Sequence, residues 1–154
     1  MSDEKGQIED GGLTAADVME ITNVIHKAMH SLDQGDGAAF QSLFLDDESS
    51  VLVTTAQATI KKPDLAEFYR GLHLRFVDFQ HFESNIVLAY LGRDAITGAK
   101  SARNDSYWHS IGISGPAAGR IGAVGTHSDI LKQSPSGWKL SSRLIRHSWS
   151  LPAN

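Results

Sequence analysis

The 154-residue chain contains no cysteine, which excludes a disulfide framework, a thiolate zinc site, an iron–sulfur cluster and a cysteine nucleophile. That absence is compatible with a reducing compartment. Positive charge is also scarce: 14 Lys plus Arg stand against 18 Asp plus Glu, a net charge of -4. Nucleic-acid binding through phosphate neutralisation is therefore not expected. No apolar run approaches the roughly 18 residues of a membrane span. The first residues, MSDEKGQIEDGG, are polar, with acidic residues outnumbering lysine, and lack the basic start and apolar run of a secretory signal. The expectation is a flexible leader over 1–12, one domain over 13–151 and a short tail over 152–154, in a cytoplasmic chain with no membrane or nucleic-acid partner. What is present in unusual number is histidine: seven, against three Trp and three Tyr. Imidazole is the side chain that titrates near neutrality, so where these seven fall is the question.

Periodicity places the elements. Thr14 reads as a helix N-cap with Asp17 three residues on, where a carboxylate also suits the helix dipole. Val18, Ile21, Ile25, Met29 and Leu32 then recur at helical steps, and Gly35 ends the run. Asp36 can cap a second short helix with Phe40, Leu43 and Phe44 inward. Residues 51–55 are β-branched and strand-like, and Pro63 opens a third helix with Leu65, Phe68, Tyr69 and Leu72 inward. Four long strands are expected over 79–91, 95–113, 120–133 and 137–150, separated by Gly- and Pro-containing turns. Helices first and strands later imply an α+β domain, a curved antiparallel sheet wrapped around the N-terminal helices, with a conical interior.

Three stretches, Ser31-Leu32-Asp33-Gln34-Gly35-Asp36, His81-Phe82-Glu83-Ser84-Asn85 and Gly125-Thr126-His127-Ser128-Asp129, followed by Gly137-Trp138-Lys139-Leu140, Arg143 and Trp149, carry a resemblance. Their order and spacing resemble the SnoaL-like branch of the NTF2-like superfamily, which includes scytalone dehydratase, bile-acid 7α-dehydratase and hexachlorocyclohexane dehydrochlorinase. The resemblance spans Leu13 to Trp149 and implies the NTF2-like cone. Fold alone decides no activity. Several lyases of the group hold a histidine with an aspartate from the first helix, and by resemblance these are His81 and Asp33. The chemistry of such a pair is general. A carboxylate on one ring nitrogen fixes the tautomer, leaves the other nitrogen as base and stabilises the imidazolium that forms. On a helical wheel Asp33 borders the apolar stripe beside Met29, where a carboxylate needs a partner. Capping of the Gly35 turn by Asp33 is the competing reading.

His109 shares its strand parity with Tyr107, Ile111 and Ile113, an apolar face, and the resemblance offers it as a second imidazole that protonates a leaving hydroxyl. His127 stands where the group often has tyrosine and is read as substrate-orienting or acidic, with Asp129 on its face. Tyr69, Asn85 and Tyr107 complete the expected substrate-binding set. His26, His30, His73 and His147 read as peripheral. No close ligand pair of the H-E-x-x-H type occurs. A metal held by His81, His109, His127 and Asp33 is the lesser reading, and neither metal nor cofactor is expected. Leu32 replaces a tyrosine that accompanies the aspartate in related dehydratases, which weakens scytalone itself as substrate. The resulting expectation is a cofactor-independent lyase of dehydratase type, or an isomerase, acting on a small and partly apolar cyclic molecule, in a dimer or trimer of identical chains. The alternatives are a non-catalytic small-molecule-binding or oligomerisation module of the same fold, and a structural subunit like the small subunit of ring-hydroxylating dioxygenases.

Overall fold

A computed structural model describes residues 11–54 and 56–150. The proposed leader falls mostly outside these residues, as does the tail. Two helices, α1 (Ala15–Gln34) and α2 (Gly37–Ser42), precede two short strands, β1 (Val51–Val53) and β2 (Thr59–Lys61), and a third helix, α3 (Leu65–Arg75), comes after them. Four long strands follow: β3 (Phe79–Arg93), β4 (Lys100–Gly112), β5 (Ile121–Ser134) and β6 (Gly137–Ser150). They form one curved sheet in the order β2-β1-β6-β5-β4-β3. The sheet is mixed rather than wholly antiparallel, because β1 runs parallel to β6 while every other pair is antiparallel. The domain is α+β and its sheet does not close. The strand expected over 51–55 stops at Val53, and Thr55 lies outside the described residues.

α1 starts where its cap chemistry says it should. The Thr14 hydroxyl accepts from the Asp17 N–H at 3.1 Å and the Asp17 carboxylate takes the Thr14 N–H at 2.9 Å, so two otherwise orphan donors are satisfied reciprocally. Ile21, Ile25, Met29 and Leu32 are buried against the sheet, joined by Val24 and Ala28. Val18 departs from the expected stripe and is 40% exposed; Asp17 turns inward instead. That burial is tolerated because Lys100 Nζ and Trp138 Nε1 donate to its two oxygens at 2.6 and 3.0 Å. The Lys100 ammonium, prevailing over desolvation, holds the Asp17 carboxyl far below the ordinary range. This cluster ties the start of α1 to the starts of β4 and β6, and the core includes Ile21, Ile25, Phe40, Leu52, Leu65 and Leu140.

α1 ends at Gly35, in the left-handed region with φ 67°, a conformation that glycine adopts at little cost. Glycine is needed there for space as well: an added Cβ would come within 2.6 Å of the His73 ring. His73 is therefore not a free surface residue, since its Nδ1 lies 2.9 Å from the Leu32 carbonyl and closes the last turn of α1. Asp36 caps α2 through the Ala39 N–H, which leaves Asp33 with no capping duty.

Candidate functional site

The last turn of α1 crosses the start of β3, and there Asp33 meets His81. Asp33 Oδ1 lies 2.7 Å from Nδ1 of the His81 ring, and both carboxylate oxygens accept the His81 backbone N–H at 3.1 Å. The carboxylate thus fixes the residue by its backbone as well as its ring. The His81 side chain is 9% exposed and that of Asp33 22%. With the Nδ1 proton directed to Asp33, Nε2 keeps its lone pair.

His81 is one wall of a cavity of about 100 Å³ that opens toward solvent. Much of the lining is apolar, from Met29, Leu32, Phe68, Leu72, Phe76 and Ile145. The polar groups are Thr54, His81, His127, His147, Ser110, Tyr69 and the indole of Trp108. Among the described residues no lysine or arginine lines it. Phe76 is 37% exposed and marks the mouth, where α3 passes into β3.

A second cluster lies behind His127. Glu83 is two residues after His81 on the same face of β3, and its Oε1 stands 3.1 Å from His127 Nδ1, short of full hydrogen-bond alignment. Ser106 donates to the same oxygen at 2.5 Å. Arg143 Nη2 is 3.5 Å from Glu83 Oε2, and the guanidinium is held by Asp129, with Nε and Nη2 both at 2.8 Å. Asn104 Nδ2 reaches Asp129 Oδ2 at 2.9 Å. Glu83, Arg143 and Asp129 have fully buried side chains. Burial pushes the Glu83 carboxyl up, but the Arg143 charge, His127 and Ser106 more than offset it, and Glu83 lies at about 2. His127 moves down, first through burial and then through the Arg143 charge, so its neutral form is favoured. Burial raises the Tyr69 phenol, which stays protonated and stacked on Phe40. His147 is lowered by burial and by His127.

These positions redistribute the residues read from the sequence. Asp33, His81, His127 and Tyr69 come together around or against the cavity. Asp129 is occupied by Arg143 and Asn104 and supports the wall from behind. His109 and Tyr107 do not reach the interior. On β4 the inward side chains are Ala102, Asn104, Ser106, Trp108 and Ser110, and the odd-numbered ones face out. Tyr107 is 57% exposed, and His109 stacks on Phe82 on the outer face, ring centroids 5.3 Å apart. Alternation fixes which residues share a face but not which face is inside; here Trp108 takes the inner face, and the outer one carries the exposed Arg103–Asp105 ion pair beside Tyr107 and His109. Asn85 is also outside. It sits at φ 51° in the bulge between Ser84 and Val87, a left-handed position that Asn tolerates. The bulge lets Ile86 and Leu88 take over the inward face from His81 and Glu83.

Glu83, Trp108 and His147 are the site residues the sequence reading missed. Glu83 was findable as a carboxylate in phase with His81. Trp108 required the parity of β4. His147 required the irregularity of β6, whose register shifts between Val124 and Gly125. With His109 on the opposite face, the four-ligand metal set of the lesser reading cannot assemble. Among the described residues no group of three His, Asp or Glu is placed to hold a metal ion.

The sequence matches the SnoaL-like domain over residues 14–144. The chain belongs to the SnoaL-like family. Among solved structures, this SnoaL-like chain is similar to a protein of unknown function with a cystatin-like fold from Nostoc punctiforme, at 21% identity and TM-score 0.75, covering 92% of this chain and 98% of that one. It is similar also to a proposed scytalone dehydratase from Novosphingobium aromaticivorans, at 15% identity and TM-score 0.66, over 90% of this chain and 89% of that one. A proposed dehydratase of the NTF2-like family from Streptomyces avermitilis matches at 15% identity and TM-score 0.65, over 88% and 98%. At such identities the likeness is one of fold. No curated protein matches the sequence. Among the described residues no helix is long and apolar enough to cross a membrane.

Proposed function

We propose that this SnoaL-like chain is a cofactor-independent lyase of dehydratase type, or an isomerase, in which His81 is the general base and Asp33 orients it. The observation that carries the reading is the 2.7 Å contact between Asp33 Oδ1 and His81 Nδ1 at the wall of an open cavity. Nε2 of His81 takes a proton from a carbon next to a carbonyl, and Asp33 stabilises the imidazolium that results. In a dehydration the β-hydroxyl then leaves as the double bond forms. The same imidazolium returns its proton to that oxygen, so that water departs and His81 is neutral again. In an isomerisation the proton goes back to a different carbon. His109 has no part in either course, being on the outer face. His127 is neutral and serves as a polar contact rather than as the acid.

The substrate is small, partly apolar and uncharged, because the lining offers aromatic and aliphatic surface and no cationic side chain. A carrier that had lost the chemistry has no need to keep an imidazole and a carboxylate at 2.7 Å beside its cavity. The two neighbours proposed as dehydratases are consistent with this reading. The test is a proton–deuterium exchange screen over cyclic ketones and hydroxy-ketones in D₂O, read by NMR. Exchange that disappears in His81→Ala supports the base. A folded protein that exchanges none of them favours the binding module.

A further inference from the structure

The cavity lining holds an unpaired donor, the Trp108 indole N–H, beside the ring of His127. Trp108 is 6% exposed and lines the cavity, yet among the described residues its indole Nε1 has no hydrogen-bond partner. Buried indole N–H groups normally find one. Its ring is stacked on His127, with centroids 6.0 Å apart and planes 22° apart. His127 faces Glu83 through Nδ1 at 3.1 Å. A carboxylate attracts the ring proton to that nitrogen, so Nε2 is left as an acceptor. Glu83 is itself anchored by Ser106 and by the Arg143 charge, and burial together with Arg143 keeps His127 neutral. Gly125 makes the arrangement possible: an added Cβ there would stand 2.7 Å from Trp108 Nε1.

A hydroxyl is the group that both accepts and donates one hydrogen bond in a small volume. We propose that Trp108, His127 and Glu83 form a hydroxyl-binding subsite, so that the cavity selects neutral ligands carrying an O–H. The hydroxyl oxygen accepts from the Trp108 N–H, its proton is donated to His127 Nε2, and Glu83 is a positioning residue that fixes the His127 tautomer. A carboxylate or phosphate ligand is disfavoured, since no cation lines the cavity and Glu83 lies behind His127. The inference deepens the proposed function, resting on the cavity as the substrate site, and narrows the substrate class to hydroxylated rings.

The test is a titration of ¹⁵N-labelled protein with phenol, and in parallel with toluene, followed through the indole N–H signals. The Trp108 signal is identified by its loss in Trp108→Phe. The expected result is that phenol moves this signal downfield and binds roughly tenfold tighter than toluene, while toluene leaves the signal in place. The preference disappears in Trp108→Phe and in His127→Phe and persists in His81→Asn. In Glu83→Gln the ¹⁵N shifts of the His127 ring change from one tautomer to a mixture, which a merely structural role for Glu83 would not produce. Equal affinity for phenol and toluene overturns the proposal, as does a preference retained in Trp108→Phe but lost in His81→Asn. The base assignment is read separately by exchange: a phenol preference without any ketone exchange removes the base and leaves the subsite.

Discussion

Asp33 holds His81 by two groups at once, the ring Nδ1 at 2.7 Å and the backbone N–H at 3.1 Å. The second contact matters because it sets the register of β3 against the end of α1 before any ring rotation is considered. The tautomer prediction follows directly: in the unliganded protein the His81 ring carries its proton on Nδ1 with Nε2 free. Long-range ¹H–¹⁵N correlation spectra give the two nitrogens distinct shifts. In Asp33→Asn, where an amide replaces the carboxylate, the two shifts converge toward those of a tautomer mixture.

The buried His127 makes stability depend on pH. Its folded pKa lies below the ordinary 6.5, so below that pH the unfolded chain binds a proton the folded chain refuses, and stability falls on acidification. Glu83, at about 2 against an ordinary 4.5, contributes stability that is complete above 4.5 and is lost as the pH falls toward 2. Urea unfolding at a series of pH values is expected to show a decline beginning below about pH 6.5, with each group contributing at most about 1.4 kcal/mol per pH unit. His127→Gln flattens the upper part of the decline and Glu83→Gln the lower part.

Asp17, Lys100 and Trp138 tie α1 to the starts of β4 and β6. Lys100→Met leaves the buried Asp17 carboxylate with only neutral donors and is expected to destabilise the fold by about 3 kcal/mol. The double variant Asp17→Asn with Lys100→Met recovers most of that loss, because no charge remains to be desolvated. Thermal melts of the two variants decide it, since a cost unchanged in the double variant would mean that the ion pair is not the cause.

Much of this molecule was legible in its sequence, and the residues show why. The helices were readable from Thr14, Gly35 and Pro63, whose roles are local. The Asp33–His81 contact was legible through the family pattern, because both residues sit at element ends whose geometry the fold fixes. His109 and Tyr107 were misread because neither face of β4 is mainly apolar, so their parity with Ile111 and Ile113 did not show that Trp108 takes the inner face. Asn85 read as a substrate-binding residue and stands instead in the left-handed position of a bulge. The Glu83–Arg143–Asp129 network was hidden for a different reason: its charges are satisfied only across three strands, and no spacing within one strand shows that.

A homo-oligomer, expected from the sequence, is tested on the outer face of β3 and β4. Phe82, Val87 and Tyr107 are 43, 63 and 57% exposed there, and a second copy of the chain is the occupant we propose. Tyr107→Glu is expected to shift sedimentation-velocity analysis from the oligomer to the monomer, with the cavity chemistry of His81 intact. A wild-type chain that sediments as a monomer removes this assembly.

The most direct measurement of the central claim is the exchange rate of Asp33→Asn on a ketone that the wild-type protein exchanges. Asparagine keeps the shape and can still accept the His81 backbone N–H, so folding is expected to survive by circular dichroism. The account predicts a fall in rate of about 10²–10⁴-fold, with His81→Ala at least as slow. An Asp33→Asn protein that is folded and exchanges as fast as wild type would contradict it.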